Sequence, residues 1–126
     1  EFYRGTLRSG QVLESVSSVV IVGDVNPGAK IISQGNIVVL GALKGNAYAG
    51  AAGDSNCFIV ALEMDPIQIQ IGDILAKSPD HKKMKPRRLR RKEKTPVTPE
   101  AQIAVAKGGN IYIEPVTRGS LNDYTR

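Results

Sequence analysis

Histidine occurs once, cysteine once and tryptophan not at all, and aromatic residues make up only 5% of the 126-residue chain. The single histidine, His81, cannot by itself complete a Ser-His pair or a multi-histidine metal site. The single thiol, Cys57, excludes an intrachain disulfide and a cysteine-rich zinc site, and such low cysteine usage suits a reducing cytosol. No apolar run approaches the roughly 18 residues of a membrane-spanning helix, and no secretory leader pattern precedes the first repeat. A soluble, cytoplasmic protein is expected. The acids Glu14, Asp24, Asp54, Glu63, Asp65 and Asp73 are scattered among turns, with nothing to pair them for acid and base work. No glycine loop runs from a strand into a helix with a following Lys-Ser or Lys-Thr, so a nucleotide cradle is missing. The expectation is a protein without catalysis, cofactor or metal.

In place of a catalytic constellation there is a period. Every sixth residue from Leu7 is apolar: Leu7, Leu13, Val19, Val25, Ile31, Ile37, Leu43 and Ala49. Two places before each stands a small residue, Gln11 excepted. A helix repeats at about 3.6 and an unbroken strand at 2, so a period of six means short strands interrupted by corners. Three such strands make a coil of about 18 residues, the pattern of a solenoid. The expected fold is all-β, a short three-sided β-helix of about three coils. Few aromatics and many Val, Ile, Leu and Ala residues suit its narrow core.

Folding the chain into such coils sorts its outward residues. On the first face Val19, Ile21, Ile37 and Val39 point inward, yet the alternating outward positions Val20, Val22, Val38 and Leu40 are also apolar. The register slips after Ala49. A step of about 20 residues restores it, with two extra residues placed in the Gly53-Asp54-Ser55-Asn56 turn. Cys57, Ile59 and Ala61 then point inward, and Phe58 and Val60 outward. Phe2, Val20, Val38 and Phe58 become one exposed ladder, with Val22, Leu40 and Val60 beside it. A contiguous apolar patch marks an interface, and a homodimer through Val20, Val22, Val38, Leu40, Phe58 and Val60 is expected. The competing reading is that another segment of the chain covers this face.

The second face brings Arg8, Asn26 and Lys44 into one outward column and Gly10, Gly28 and Asn46 into the next. Segments distant in sequence thus become adjacent rungs of one polar surface, on which Arg8 can offer a two-pronged donor to a carboxylate. The third face stacks Glu14, Ile32 and Gly50 outward. The alternation of Ile67, Ile69 and Ile71 with Gln68 and Gln70 reads as one further strand that begins the cap.

The body is therefore read as residues 1–77. Residues 78–99 change composition abruptly and form a basic, proline-containing linker. Lys82, Lys83, Lys85, Arg87, Arg88, Arg90, Arg91, Lys92 and Lys94 lie there against Glu93 alone. This tract exceeds the +5 net charge of the whole chain, so the remainder is mildly acidic. The tract reads as a solvated charged loop, with binding to an anionic surface such as lipid headgroups as the alternative. No aromatic interrupts it for base stacking, and nucleic acid is not an expected partner. Residues 100–115 alternate around Gly108-Gly109 and read as a β-hairpin that packs on the body to bury Ile103, Val105, Ile111 and Ile113. Residues 116–126 read as a disordered tail.

Two other solenoid classes compete. Hexapeptide-repeat acyltransferases share the six-residue period, but their residue after the aliphatic position is commonly Gly, Ala or an acid. That column here runs Arg8, Glu14, Val20, Asn26, Ile32, Val38, Lys44 and Gly50, and no histidine lies in the coils to serve as base. A structural β-helix polymer subunit is the second alternative, for which about three coils are few.

In order along the chain stand Arg8-Ser9-Gly10-Gln11, Gly23-Asp24-Val25-Asn26-Pro27-Gly28-Ala29, Gly41-Ala42-Leu43-Lys44-Gly45 and Ala49-Gly50-Ala51-Ala52-Gly53-Asp54. With these motifs the sequence resembles the C-terminal domain of MinC, the bacterial septum site-determining protein. The resemblance runs over residues 7–72 and resumes over 99–115, where Ile111-Tyr112-Ile113-Glu114-Pro115 is similar to the family's closing strand. It implies right-handed winding and a dimer formed through the apolar face. It also implies a cell division inhibitor whose partners are the membrane-associated ATPase MinD and the tubulin-like FtsZ. The family motif for MinD binding falls on Arg8, Ser9, Gly10 and Gln11, and the neighbouring rungs supply Asp24, Asn26, Gly28 and Lys44. Where the family carries Arg-Gly-Arg this chain has Lys44-Gly45-Asn46, a departure at the contact that the resemblance implies for the FtsZ tail. The implied role is an adaptor that blocks Z-ring assembly away from midcell. It reaches the inner face of the membrane only indirectly, through MinD, with a contribution from the basic tract as the competing route. Family members also carry a separate N-terminal domain, so this chain is expected to be a fragment.

Overall fold

The computed structural model describes residues 1–77 and 101–117. His81, the basic tract and residues 118–126 lie outside the described residues. Eleven strands and no helix are present among them. The strands are β1 (Phe2–Arg4), β2 (Val12–Ser15), β3 (Val19–Val22), β4 (Lys30–Ser33), β5 (Ile37–Leu43), β6 (Asn46–Ala49), β7 (Phe58–Met64), β8 (Gln68–Ile71), β9 (Ile74–Lys77), β10 (Gln102–Lys107) and β11 (Asn110–Pro115).

Odd and even members of the first eight strands separate into two stacks. β1, β3, β5 and β7 pair in parallel as one sheet, and β2, β4, β6 and β8 as another. The third side is no sheet but a ladder of single parallel bridges, Leu7 to Val25 and Val25 to Leu43. The structure is thus a solenoid of stacked coils, as the six-residue period requires. Leu7, Val19, Val25, Ile31, Ile37, Leu43 and Ala49 are buried in one core with Ile21, Val39, Ile59 and Ile71. Leu13, near the first-coil edge, is only half-buried.

The coil step changes along the chain, and this corrects the register expected beyond the second coil. Val20 pairs with Val38 at a spacing of 18, and Ile31 with Ala47 at only 16. Ile37 then pairs with Ile59 and Val38 with Val60, a spacing of 22 rather than about 20. Two residues are lost because the corner from Leu43 to β6 holds only Lys44 and Gly45, where the coil above has the four-residue Asn26-Pro27-Gly28-Ala29 corner. The gain falls in the long corner between Ala49 and Phe58. There Gly53 and Asp54 donate backbone N–H groups to Gly50 O (2.8 and 3.1 Å), and Asp54 Oδ1 accepts from Asn56 N–H (2.9 Å). Because the corners change by even numbers, inward and outward phases survive as far as Val39, beyond which β5 shifts by one residue against β7. Cys57, Ile59 and Ala61 still join the core, while Val38 and Ile32 each meet a neighbour two places from the expected one. On the second sheet Glu14 and Ile32 accordingly stack on Tyr48, not Gly50.

One corner carries its own polar spine. Ser33, fully buried, donates to Ser17 O (2.8 Å) and accepts from Gly35 N–H (2.9 Å). Ser18 Oγ accepts from Asn36 N–H and Asn36 Oδ1 from Phe58 N–H, each at 2.9 Å. Side chains here replace the ladder bonds that backbone leaving a strand can no longer make.

Antiparallel strands close the last coil. β9 folds back on β8, β10 pairs with β7, and β11 completes a hairpin with β10. Gly108 and Gly109 both have positive φ, 55° and 84°, as a two-residue hairpin turn demands. β11 lies against β9, so Ile111 and Ile113 pack with Ile74 and Ala76 beneath the core. Ile103 and Val105 face the other way and form a second cluster with Phe58. β9 itself has no counterpart in the sequence pattern, whose last alternating run closes into the Gly72-Asp73 turn.

Ile31 is fully buried between Leu13 and Ala47 in the ladder. Ile31→Ala is expected to lower unfolding free energy by about 2–5 kcal/mol, measured as a lower urea midpoint at unchanged m-value.

Candidate functional site

Two outward faces concentrate the residues singled out in the sequence. The polar one is built on the bridge ladder. Leu7 N–H donates to Asp24 O (2.9 Å) and Asn26 N–H to Leu7 O (2.9 Å). One coil on, Val25 N–H donates to Ala42 O (2.8 Å) and Lys44 N–H to Val25 O (2.8 Å). These bonds fix Arg8, Asn26 and Lys44 as the residues following three stacked, buried aliphatics, so the three share one column as expected. Arg8 and Lys44 are exposed and Asn26 is half-buried.

Arg8-Ser9-Gly10-Gln11 folds as a tight turn. Gln11 N–H donates to Arg8 O (2.9 Å), and Gln11 Oε1 accepts from Arg8 N–H (2.7 Å). The Gln11 side chain thus holds the turn's backbone while the guanidinium stays in solvent. The next turn repeats the device, with Ala29 N–H donating to Asn26 O (3.0 Å). The two stack through Gly10 N–H to Gly28 O (2.9 Å) and Lys30 N–H to Gln11 O (3.0 Å). Gly28, at φ 92°, lies directly against Ser9, where an added Cβ would strike the Ser9 side chain. Glycine is therefore required both by conformation and by the close packing of the two turns.

Asn46 leaves this surface. It pairs with Lys30 and Gln68 on the second sheet, so the expected column of Gly10, Gly28 and Asn46 stops at Gly28. The cause is the shortened Lys44-Gly45 corner. The Asn46 amide oxygen is buried without a hydrogen-bond partner. Asp24 is exposed, and its Oδ1 accepts from Ala42 N–H at 2.8 Å.

The apolar face lies on the first sheet. Val60, not Phe58, continues the row Phe2, Val20, Val38, and Ile103 extends it across β10. Phe58 is only 9% exposed, packed with Ile103 and Val105. This corrects its place among exposed ladder residues: the hairpin that joins the sheet at β7 covers that corner. Phe2 at 75%, Leu40 at 44%, Val22 and Leu62 remain open to solvent, and Val20, Val38 and Val60 are half-buried. Leu62 belongs to this open set and was missed, because a step of 20 residues leaves β7 too short to present it.

Cys57 is buried beside the Asp54 turn. Burial foremost, then the Asp54 charge and its hydrogen bond, raises the thiol pKa from 9.0 to about 11. No group of three or more His, Cys, Asp and Glu side chains is placed to hold a metal among the described residues.

The sequence matches the family model for the septum formation inhibitor MinC, C-terminal domain, over residues 1–117. The chain belongs to this family. This chain is 68% identical over 122 residues to the probable septum site-determining protein MinC of Agathobacter rectalis, and 50% identical to that of Lachnospira eligens. Each comparison takes in 97% of this chain but 49% and 48% of the relative, so the chain spans about half the length of the curated relatives it matches. Among solved structures it is similar to a chain of the MinC:MinD cell division protein complex of Aquifex aeolicus, with a TM-score of 0.74 and 34% identity. That similarity covers 92% of this chain and 85% of the other.

The raised Cys57 pKa carries a sign. The neutral thiol supports folding fully below about pH 9, and this contribution is lost as pH rises through about 11. Alkylation of Cys57 at pH 8 should accordingly be slow in native protein and rapid in urea, as followed by mass spectrometry. Gly28→Ala should displace Ser9 and cost about 1–3 kcal/mol, measured by thermal denaturation.

Proposed function

We propose that this MinC C-terminal domain is a non-catalytic dimerisation and adaptor module of a division inhibitor, carrying a MinD-binding face on its bridge ladder. The observation that carries this reading is the stacking of Arg8, Asn26 and Lys44 over buried Leu7, Val25 and Leu43, with Ser9, Gly10, Gln11 and Gly28 in the two turns beside them. A face of this kind offers charged and polar side chains on a backbone held rung to rung by hydrogen bonds. Preorganised groups bind at lower entropic cost. The similar Aquifex aeolicus chain, solved in a MinC:MinD complex, supports MinD as the partner.

The apolar face of Phe2, Val20, Val22, Val38, Leu40, Val60 and Leu62 is the proposed homodimer interface. It consists of apolar side chains on neighbouring strands, aliphatic apart from Phe2, and its centre is free of charge. A dimer presents two Arg8 faces, so MinD can hold it at the inner face of the membrane and place the inhibitor away from midcell. Help in targeting FtsZ belongs to the same reading.

Arg8→Ala should weaken capture by ATP-bound MinD on the order of 10- to 100-fold; undiminished binding would sink the face assignment. Leu40→Asp puts a charge at the centre of the apolar face and is expected to give a monomer by light scattering. A dimer that persists in this variant would reject the interface.

A further inference from the structure

Between Ile37 and Leu43, β5 has one residue more than the stretch of β7 it pairs with, Ile59 to Met64. Val39 pairs with Ala61 but Ala42 with Glu63, a register shift that leaves three steps in β5 opposite two in β7. Such a bulge turns the strand and re-aims the residues beyond it. In β5 those residues are the corner that carries Leu43 and Lys44, so the side chains of the apolar face end at Leu40 and those of the polar face begin after the bulge.

The Asp24 carboxylate sits on this bulge. Its Oδ1 accepts from Ala42 N–H at 2.8 Å, and a Cβ on Gly41 would come within 2.6 Å of the same oxygen. Ala42 O accepts from Val25 N–H, and Val25 O accepts from Lys44 N–H, both at 2.8 Å. Asp24 therefore ties down the residue that starts the pair of bonds by which Lys44 is registered against Val25. Its own backbone O receives Leu7 N–H at 2.9 Å, the bond that begins the same registration for Arg8. At the rung below, the position corresponding to Asp24 is Ala42, which has no polar side chain with which to repeat the device.

We propose that Asp24 is a positioning residue of the MinD-binding face: its carboxylate pins the β5 bulge and thereby sets Lys44 in line with Asn26 and Arg8. This rests on the face assignment above and separates Asp24 from the residues that touch the partner. The role needs an acceptor oxygen and not a charge, so Asn can perform it and Ala cannot.

The test is binding of this chain to ATP-bound MinD by titration, comparing wild type, Arg8→Ala, Asp24→Ala, Asp24→Asn, Lys44→Ala and the Asp24→Ala/Lys44→Ala double variant. Asp24→Ala is expected to lose on the order of 10-fold in affinity, as for removal of a charge-assisted hydrogen bond. Asp24→Asn should stay within about twofold of wild type, and Asp24→Ala should cost little more once Lys44 is already Ala. Amide exchange at Ala42 and Lys44 should rise in Asp24→Ala while Ile21 and Ile31 stay protected; general loss of protection would mark unfolding, and Asp24→Asn then decides. Equal losses in Asn and Ala variants would show that the charge itself meets the partner and would overturn the proposal. Additive losses in the double variant, or wild-type binding by Asp24→Ala beside a deficient Arg8→Ala, would overturn it too. Undiminished binding by Arg8→Ala removes the face itself, and the proposal with it.

Discussion

Rung-to-rung hydrogen bonding between identical depths of successive coils is the constraint on which everything else in this domain rests. Each coil leaves its backbone polar groups pointing along the solenoid axis, where only the next coil can satisfy them. Leu7, Val25 and Leu43 show the demand in its barest form: a single bridge joins each to the next, with no strand around Leu7 or Val25, yet all three side chains are almost completely buried. The corner between the second sheet and the first shows what happens when backbone alone is insufficient. There Ser18, Ser33 and Asn36 lend side-chain oxygens to keep adjacent coils tied.

This constraint makes the outer surface rigid and repetitive, and the two faces use that property differently. On the first sheet the repeat lays like against like, so valines and leucines from β3, β5 and β7 merge with Phe2 of β1 into one apolar area. On the bridge ladder it brings residues 18 apart in sequence, Arg8 and Asn26, into one column. Beyond the single extra residue in β5, coil length varies at corners. The Lys44-Gly45 corner is short and the corner from Gly50 to Cys57 is long, yet the core is continuous across both. A corner can lose or gain pairs of residues because the strands on either side still meet their neighbours with the same faces inward.

Capping obeys the same logic. A parallel stack exposes an edge at its last coil, and edges invite further pairing. β9 and the β10–β11 hairpin reverse direction and occupy those edges, and they bring Ile111, Ile113, Ile74 and Ala76 beneath the last rung of the core. The hairpin also buries Phe58 from outside, which trims the apolar face at one end.

Much of this was legible from residue order. The six-residue column named the architecture because a buried aliphatic on each side of a three-sided coil is the only arrangement with that period, and the alignment of Arg8, Asn26 and Lys44 came from counting. Gly108-Gly109 between two alternating runs declared a hairpin through its turn chemistry. What counting could not supply was the size of each coil after Leu43. The pairing of Val38 with Val60, the departure of Asn46 to the second sheet and the covering of Phe58 depend on which corner absorbs the changes, and corners carry no periodic signal. Asp24 is the sharpest case. Its sequence context marks it as an acid beside a turn, and the family resemblance as part of the binding face, whereas its bond to Ala42 exists because residues 24 and 42 become neighbours when the coils stack. Local pattern determined what faces inward, since burial acts on every coil alike; tertiary stacking alone decided which outward residues meet.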